Sequence, residues 1–179
     1  MKTFAPIIAL SLAAVTSTTA LADDALVATA PPPKTIGLDA MAVVPVGDYG
    51  NAATVGIGAL GRLEVPAGAG FVTGRAGVIF HAMKANVDAS LTFVPIYAGY
   101  RYPLGTGGGY IAGELGVTIA FGEVETQFGS MSASDSELGA TLMAGLRKGA
   151  LDLRAGLFAP DLDDAVGLLA SAGYDFAAF

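Results

Sequence analysis

Ten ionisable side chains set the chemical question in this chain: Asp39, Arg62, Glu64, Arg75, Arg101, Glu114, Arg147, Asp152, Arg154 and Asp175. Five are cationic and five anionic, and they include every arginine in the sequence. Each sits in a stretch where aliphatic residues recur at every second position, and each occupies the opposite parity, as Glu137 also does. Charged groups gathered on one face of alternating strands have two chemical uses. Taken out of water they must pair with one another, which makes a polar plug; left hydrated and able to exchange partners, they line a gated pore.

Other reactive groupings are sparse. The single histidine, His81, has Asp88 and Ser90 within ten positions, the nearest approach in the chain to an imidazole-activated hydroxyl. Ala82 and Met83 follow it directly, and a lone histidine at a strand end reads equally as a solvated polar residue. The run Asp161-Leu162-Asp163-Asp164 offers carboxylates for Ca²⁺ but lacks the organised ligand spacing of a calcium loop, so a hydrated acidic loop is the simpler reading. There is no cysteine, which removes disulfides, thiolate metal sites and a lipoprotein anchor.

The elements that must position these groups follow from the alternation. From Thr35 to Asp175 there are eight such stretches, centred on the aliphatic sets Leu38/Ala40/Ala42, Val55/Ile57/Ala59, Ala76/Val78/Phe80, Val94/Ile96/Ala98, Leu115/Val117/Ile119, Leu138/Ala140/Leu142, Leu151/Leu153/Ala155 and Leu168/Ala170/Ala172. Each is long enough for the roughly 9–11 residues with which a tilted strand crosses a bilayer. A soluble barrel would bury the aliphatic face and expose the charged one. Here the apolar face is continuous and the other carries the arginines, so closure with the charges inside leaves a surface suited to lipid; an arginine on that surface at mid-membrane costs about 2–4 kcal/mol. The expected fold is all-β, a closed antiparallel eight-stranded transmembrane up-and-down β-barrel.

Composition agrees. Hydrophobic residues make up 53% of the chain and mean hydropathy is +0.60. Beyond the N-terminus, however, no apolar run reaches the roughly 18 residues of a membrane helix. Glycine, at 25 of 179 residues, is about twice its usual share of roughly 7%, as crowded strands and tight turns require. Residues 1–22 read as a secretory signal: Lys2 opens it, Phe4 to Val15 form a short apolar core, and Ala20-Leu21-Ala22 is a small-x-small cleavage site. Residues 23–34, with Pro31-Pro32-Pro33, form a stiff lead-in, and 35–179 form the barrel.

Connections alternate in length. Pro66 to Gly70, Leu104 to Gly108 and Lys148-Gly149 are compact and glycine-rich, whereas Pro45 to Ala53, His81 to Ser90, Gly122 to Ser136 and Ala159 to Asp164 are longer and more polar. The short turns and both termini are expected on the periplasmic side. Aromatic girdles fit that orientation, with Phe80 and Phe121 at the outer rim and Tyr100, Tyr102, Tyr174 and Phe176 at the inner one. All ten paired charges then fall in the periplasmic half of the lumen. The outer half is apolar: Met41, Val43, Ile79, Phe93, Pro95, Met143, Phe158 and Leu169, with Thr118 and Thr141 among them. That half is either close-packed filler or a pocket for a small hydrophobic ligand. Pro95 in mid-strand predicts a bulge.

The phrase Val44-Pro45-Val46-Gly47-Asp48-Tyr49, the run Val94 to Tyr102 and the segment Tyr110-Ile111-Ala112-Gly113-Glu114-Leu115-Gly116 resemble recurrent pieces of the small eight-stranded outer-membrane β-barrels of Gram-negative bacteria. That group includes the membrane domain of outer membrane protein A, protein X and the opacity-type porin-like proteins. The resemblance implies outer-membrane localisation, periplasmic termini, contact with lipid and lipopolysaccharide, and delivery by periplasmic chaperones to the outer-membrane assembly machinery. That machinery reads a terminal aromatic. Here Tyr174-Asp175-Phe176 fits the signal, but Ala177-Ala178-Phe179 follows, with Phe179 off the parity of Phe176. Some barrels of the group deacylate lipid A through a His-x-Ser arrangement, which His81 lacks, so no enzymatic activity, catalytic residue, cofactor or metal is expected.

The loops carry the net charge of −7. Asp48, Asp88, Glu123, Glu125, Asp135, Asp161, Asp163 and Asp164 face one lysine, Lys84, which disfavours nucleic acid and bare lipid A phosphates, though divalent cations would bridge the latter. Two functions fit: a structural or interaction barrel with a charge-plugged lumen displaying acidic loops, or a narrow channel or carrier for small hydrophobic molecules.

Overall fold

The computed structural model describes residues 32–84, 89–126 and 129–179, with side chains described outside 124–130. The expected signal segment, most of the lead-in, and Asp88 lie outside the described residues. Eight strands follow in order: β1 Thr35–Val46, β2 Ala53–Ala67, β3 Gly70–Met83, β4 Ala89–Pro103, β5 Gly109–Thr126, β6 Gly129–Lys148, β7 Leu151–Asp161 and β8 Ala165–Ala178. One short helix, α1 Gly47–Ala52, interrupts the first long connection. Every strand pairs antiparallel with its sequence neighbour, and β1 pairs with β8 to close the barrel.

Strand count and stagger together determine the bore. Directly paired residues can be followed once around the wall: Thr35, Glu64, Thr73, Gly99, Glu114, Thr141, Phe158, Gly167 and back to β1 at Pro45. The path returns ten residues along the strand from its start, so the strands are strongly tilted. At this strand number the interior is just wide enough to be filled by side chains.

Filling it explains much of the glycine. Inward glycines stand beside the bulkiest inward residues: a Cβ at Gly99 would lie 2.6 Å from the Glu114 Cα, and one at Gly156 would lie 2.7 Å from the Met143 Cα. Gly56 likewise leaves room for the His81 ring, and Gly116 for Tyr97. In the short turns glycine serves a different need, since Gly68 and Gly149 adopt φ of 58° and 62°, a region costly for any other residue.

The outer surface is the apolar one. Leu38, Ile57, Ile96, Leu115, Leu142, Leu153 and Leu168 are each more than half exposed, while Asp39, Glu64 and Asp152 are wholly buried. Phe80 and Phe121 lie on the outward face towards the loop end. Tyr100, Tyr102, Tyr174 and Phe176 lie towards the end bearing the termini, where the Tyr100 hydroxyl donates to the Ala67 carbonyl at 2.7 Å.

Three expectations need correction. First, Pro95 produces no bulge. β3 pairs with β4 from Phe71 to Ala76 and again from Ile79 to Ala82 in one unbroken register, and the pairing lapses only opposite Val94 and Pro95; the strand tolerates the missing donor by forgoing ladder bonds on that side. Second, Gly122 to Ser136 is mostly strand: β5 and β6 run on, paired, to Thr126 and Gly129. Alternating Ser with Met, Ala and Asp continues a ladder as well as it would a loop. Third, Phe179 is not left on the wrong face. A register shift between Ile36 and Gly37 skips Phe176, and the reciprocal backbone bonds of Lys34 with Phe179 extend the pairing. The extra residue resets the parity, returning Phe179 to the outward side with Tyr174.

Candidate functional site

The lumen is built in two layers. In the half nearest the termini, all ten charges of the inward face meet. Arg62 on β2 is the hub: its guanidinium lies 2.8 Å from Asp39, 2.7 Å from Asp152, 2.5 Å from Asp175 and 3.7 Å from Glu64, thereby joining β1, β2, β7 and β8. Arg147 contacts Glu64 at 2.7 Å, Asp152 at 3.0 Å and Asp175 at 3.4 Å. Arg154 reaches Asp152 at 2.8 Å, Glu64 at 3.2 Å and Glu114 at 3.9 Å.

The remaining two arginines extend the set to the far wall. Arg75 lies 3.3 Å from Glu114 and 2.9 Å from Asp39; the latter is an electrostatic contact without well-directed hydrogen-bond geometry, since neither atom has a hydrogen-bond partner. Arg101 donates to Glu64 at 2.9 Å and stacks over Phe71 at 4.0 Å. Tyr110 donates to Asp152, and Thr73 and Thr141 donate to Glu114 at 3.2 and 3.0 Å. Five guanidinium and five carboxylate groups thus form one connected, neutral network, in which the most exposed side chain, Arg147, is 15% exposed. Burial at this level forbids an unpaired member.

Above it sits the apolar layer. Met41, Val43, Ile79, Phe93, Met143, Phe158 and Leu169 are all buried, Val43 and Ile79 completely, together with Leu60 and Tyr97. The Tyr97 hydroxyl is within 2.6 Å of Thr118 Oγ1. Helix α1 folds over this layer and inserts Tyr49, whose ring packs against His81 and Phe93 with centroids 5.5 and 6.0 Å apart. Burial beside Tyr97 pushes the Tyr49 phenol above its ordinary value.

His81 is therefore not a solvated rim residue. It is 2% exposed, and its Nε2 is 2.5 Å from the Tyr49 hydroxyl, because α1 closes over the strand end that the sequence leaves open. It also stands apart from Ser90. Ala82, next to His81, pairs with Ser90, which places Ser90 on the outward face while His81 faces the lumen. Glu137, which shares the inward parity, lies where β6 rises beyond β7 and is exposed.

Three tyrosines, Tyr49, Tyr97 and Tyr110, join the candidate site residues. Parity alone places Tyr97 and Tyr110 inside, but nothing periodic marks Tyr49, which lies in a one-and-a-half-turn helix. Among the described residues a cleft opens at each end of the barrel. One, of about 350 Å³, lies at the termini end between Pro32, Pro33, Phe71, Arg101 and Arg147. Another, of about 390 Å³, lies at the loop end, where Tyr49 and Phe93 meet Asp48, Asp135 and Glu137. Among the described residues no group of three or more His, Asp or Glu side chains has metal-ligand geometry.

No protein-family model matches the sequence, and no curated protein matches it. Solved structures do match the fold. The crystal structure of Ail, the attachment invasion locus protein of Yersinia pestis, is similar at 15% identity, covering 82% of this chain and 99% of that one with a TM-score of 0.64. Ail in complex with the heparin analogue sucrose octasulfate gives 17% identity, 80% and 95% coverage and a TM-score of 0.57. The outer membrane protein Ail in a phospholipid bilayer nanodisc gives 17%, 81% and 99%, and 0.55. The chain has the fold of the small eight-stranded outer-membrane β-barrels.

Proposed function

We propose that this protein is an integral outer-membrane barrel of a Gram-negative cell, with a sealed lumen, which serves as a rigid base for an acidic loop surface. The observation that carries the reading is the inversion of polarity across the wall: aliphatic side chains exposed around the outside, ten charges paired within. Lipid is the solvent that makes such a surface stable. The likeness to a barrel held in a bilayer nanodisc supports it. In this reading the termini end faces the periplasm, Phe176 and Phe179 offer the terminal aromatic to the assembly machinery after delivery by chaperones, and the loop carboxylates meet lipopolysaccharide through divalent cations.

The test is fractionation with the outer membrane followed by gel mobility with and without boiling. A band that partitions with that membrane and shifts on heating is expected. Recovery of the mature chain as a detergent-free solute would defeat the reading.

A carrier or narrow channel for small hydrophobic molecules is the second reading, and the apolar upper layer is what favours it. Val43 and Ile79 are completely buried there, beneath Tyr49, which supports a filled interior instead. Nor does the polyanion bound by Ail transfer readily: Asp48, Asp135, Glu137, Asp161 and Asp164 line the loop-end cleft, and like charge repels such a ligand. Among the described residues the hydroxyl set against His81 is that of Tyr49, buried under α1 with its phenol pushed above its ordinary value, which disfavours a catalytic role for His81; lipid A left unchanged by His81→Asn is the expected result.

A further inference from the structure

The loop end presents an unpaired strand edge beside an acidic cleft. β6 pairs with β5 along its whole length to Gly129, but with β7 only from Ala140 to Lys148. From Met131 to Glu137 its far edge has no partner among the described residues. Which backbone groups face that edge follows from two bonds. The Leu138 carbonyl accepts from Leu162 N–H at 3.1 Å on the β7 side, and Arg147 N–H donates to Gly108 on the β5 side. Even-numbered residues of β6 therefore direct both backbone groups to the open edge, since N–H and C=O alternate sides together along a strand.

Those residues are Ser132, Ser134 and Ser136. The Ser136 N–H is taken by its neighbour, the Asp135 carboxylate, at 2.8 Å; among the described residues Ser132 and Ser134 keep a donor and an acceptor each. Neither proline nor lysine, the usual guards of an exposed edge, occurs between Met131 and Glu137. Of the odd residues of the same segment, Asp135 and Glu137 face the cleft.

The cleft has the complementary chemistry. Its floor is apolar, made by Tyr49, Leu91, Phe93 and Ala120, and its rim holds the carboxylates of Asp48, Asp135, Glu137, Asp161 and Asp164. Among the described residues no cationic one lines it, and Lys84 is engaged with the Gly50 carbonyl. Its volume of about 390 Å³ suits a few side chains rather than a folded domain.

We propose that an extended, basic peptide segment adds as a strand to the open β6 edge at Ser132 and Ser134, and lays lysine or arginine side chains against Asp135 and Glu137 over the apolar floor of the cleft. The backbone supplies affinity and the alternating side chains supply selectivity, as in other strand-addition complexes. A strand there continues the wall above β7, so its inward residues fall directly opposite Asp135 and Glu137, the position in which opposite charges attract and like charges repel. A second copy of this chain is a poor occupant of the same edge, because it would bring Asp135 and Glu137 against their own kind. The proposal deepens the display role above and depends on it only for access to the partner; binding itself is read in detergent, so fractionation can fail without it.

The probe is a nine-residue peptide alternating lysine and valine with a terminal tryptophan, added to the purified full chain in zwitterionic micelles, with empty micelles as control. The protein has no tryptophan, so anisotropy reports the peptide alone. Saturable binding is expected, weakened about tenfold or more, the equivalent of about 1.4 kcal/mol, by D135N/E137Q, by S134P, and by N-methylation of alternate peptide residues. Ser134→Pro removes an edge donor without touching the β5 ladder, and heat-dependent gel mobility verifies that each variant still forms the barrel. No binding above the micelle control, equal binding of the N-methylated or glutamate-for-lysine peptide, or concentration-dependent dimers abolished by S134P would each overturn the proposal.

Discussion

The Tyr49 hydroxyl and His81 Nε2, 32 residues apart in sequence, stand 2.5 Å apart beneath helix α1. This contact ties the first connection to the wall at β3 and closes the apolar layer from above. Tyr49→Phe leaves His81 buried without its partner. The expected cost is about 1–3 kcal/mol, the penalty for an unsatisfied buried polar group, read as a lower urea midpoint for loss of the compact gel band. An unchanged midpoint would mean that α1 does not hold the ring in place.

Arg62 joins four acidic residues contributed by β1, β2, β7 and β8. Arg62→Ala leaves Asp39 in the interior with only the poorly directed Arg75 contact and the network one positive charge short, and the loss expected from breaking a buried pair is about 3–5 kcal/mol. The same titration reads it, and a variant as stable as the parent would show the network to be dispensable.

The sealed lumen makes an electrical prediction. In planar bilayers the parent barrel should pass no steady current, since both layers are filled. Regular openings at modest voltage would mean that the ion pairs exchange partners and leave a water path.

Polarity across the wall can be tested at one site. Leu142 is 63% exposed on the outer face, so Leu142→Arg should cost about 2–4 kcal/mol at mid-membrane and lower the yield of folded barrel in vesicles. A yield equal to the parent's would place that face outside the hydrocarbon.

Glycines separate by face. Gly156→Ala drives a methyl against the Met143 backbone, at an expected cost of about 1–3 kcal/mol. A Cβ at Gly74 meets nothing within 4 Å, so Gly74→Ala should be neutral or stabilising by up to about 0.5–1 kcal/mol. Equal effects at both positions would remove crowding as the reason for inward glycine.

The two-residue period made the wall legible from sequence. Arg62, Asp152 and Glu64 declare their face because lipid excludes charge from the other, and the strand count follows once the eight aliphatic runs are separated. Features that depend on where chain ends meet were not legible. Tyr49 sits in a segment without periodicity, and its burial arises only when α1 folds over the mouth, which in turn shields His81. Ser130 to Ser136 has a loop's composition, and only its pairing with β5 makes it strand. The reset of parity at Phe176 depends on how β8 aligns with β1 across the closure, a contact between the first and last strands that no local pattern encodes.

The hub position of Arg62 bears on how the barrel enters a bilayer. Asp39 and Glu64 meet Arg62 within the first hairpin, but Asp152 and Asp175 arrive on the last two strands, so the network closes around it only when β8 pairs with β1. Stepwise threading of hairpins is thereby disfavoured relative to entry of a sheet whose opposite charges have already met.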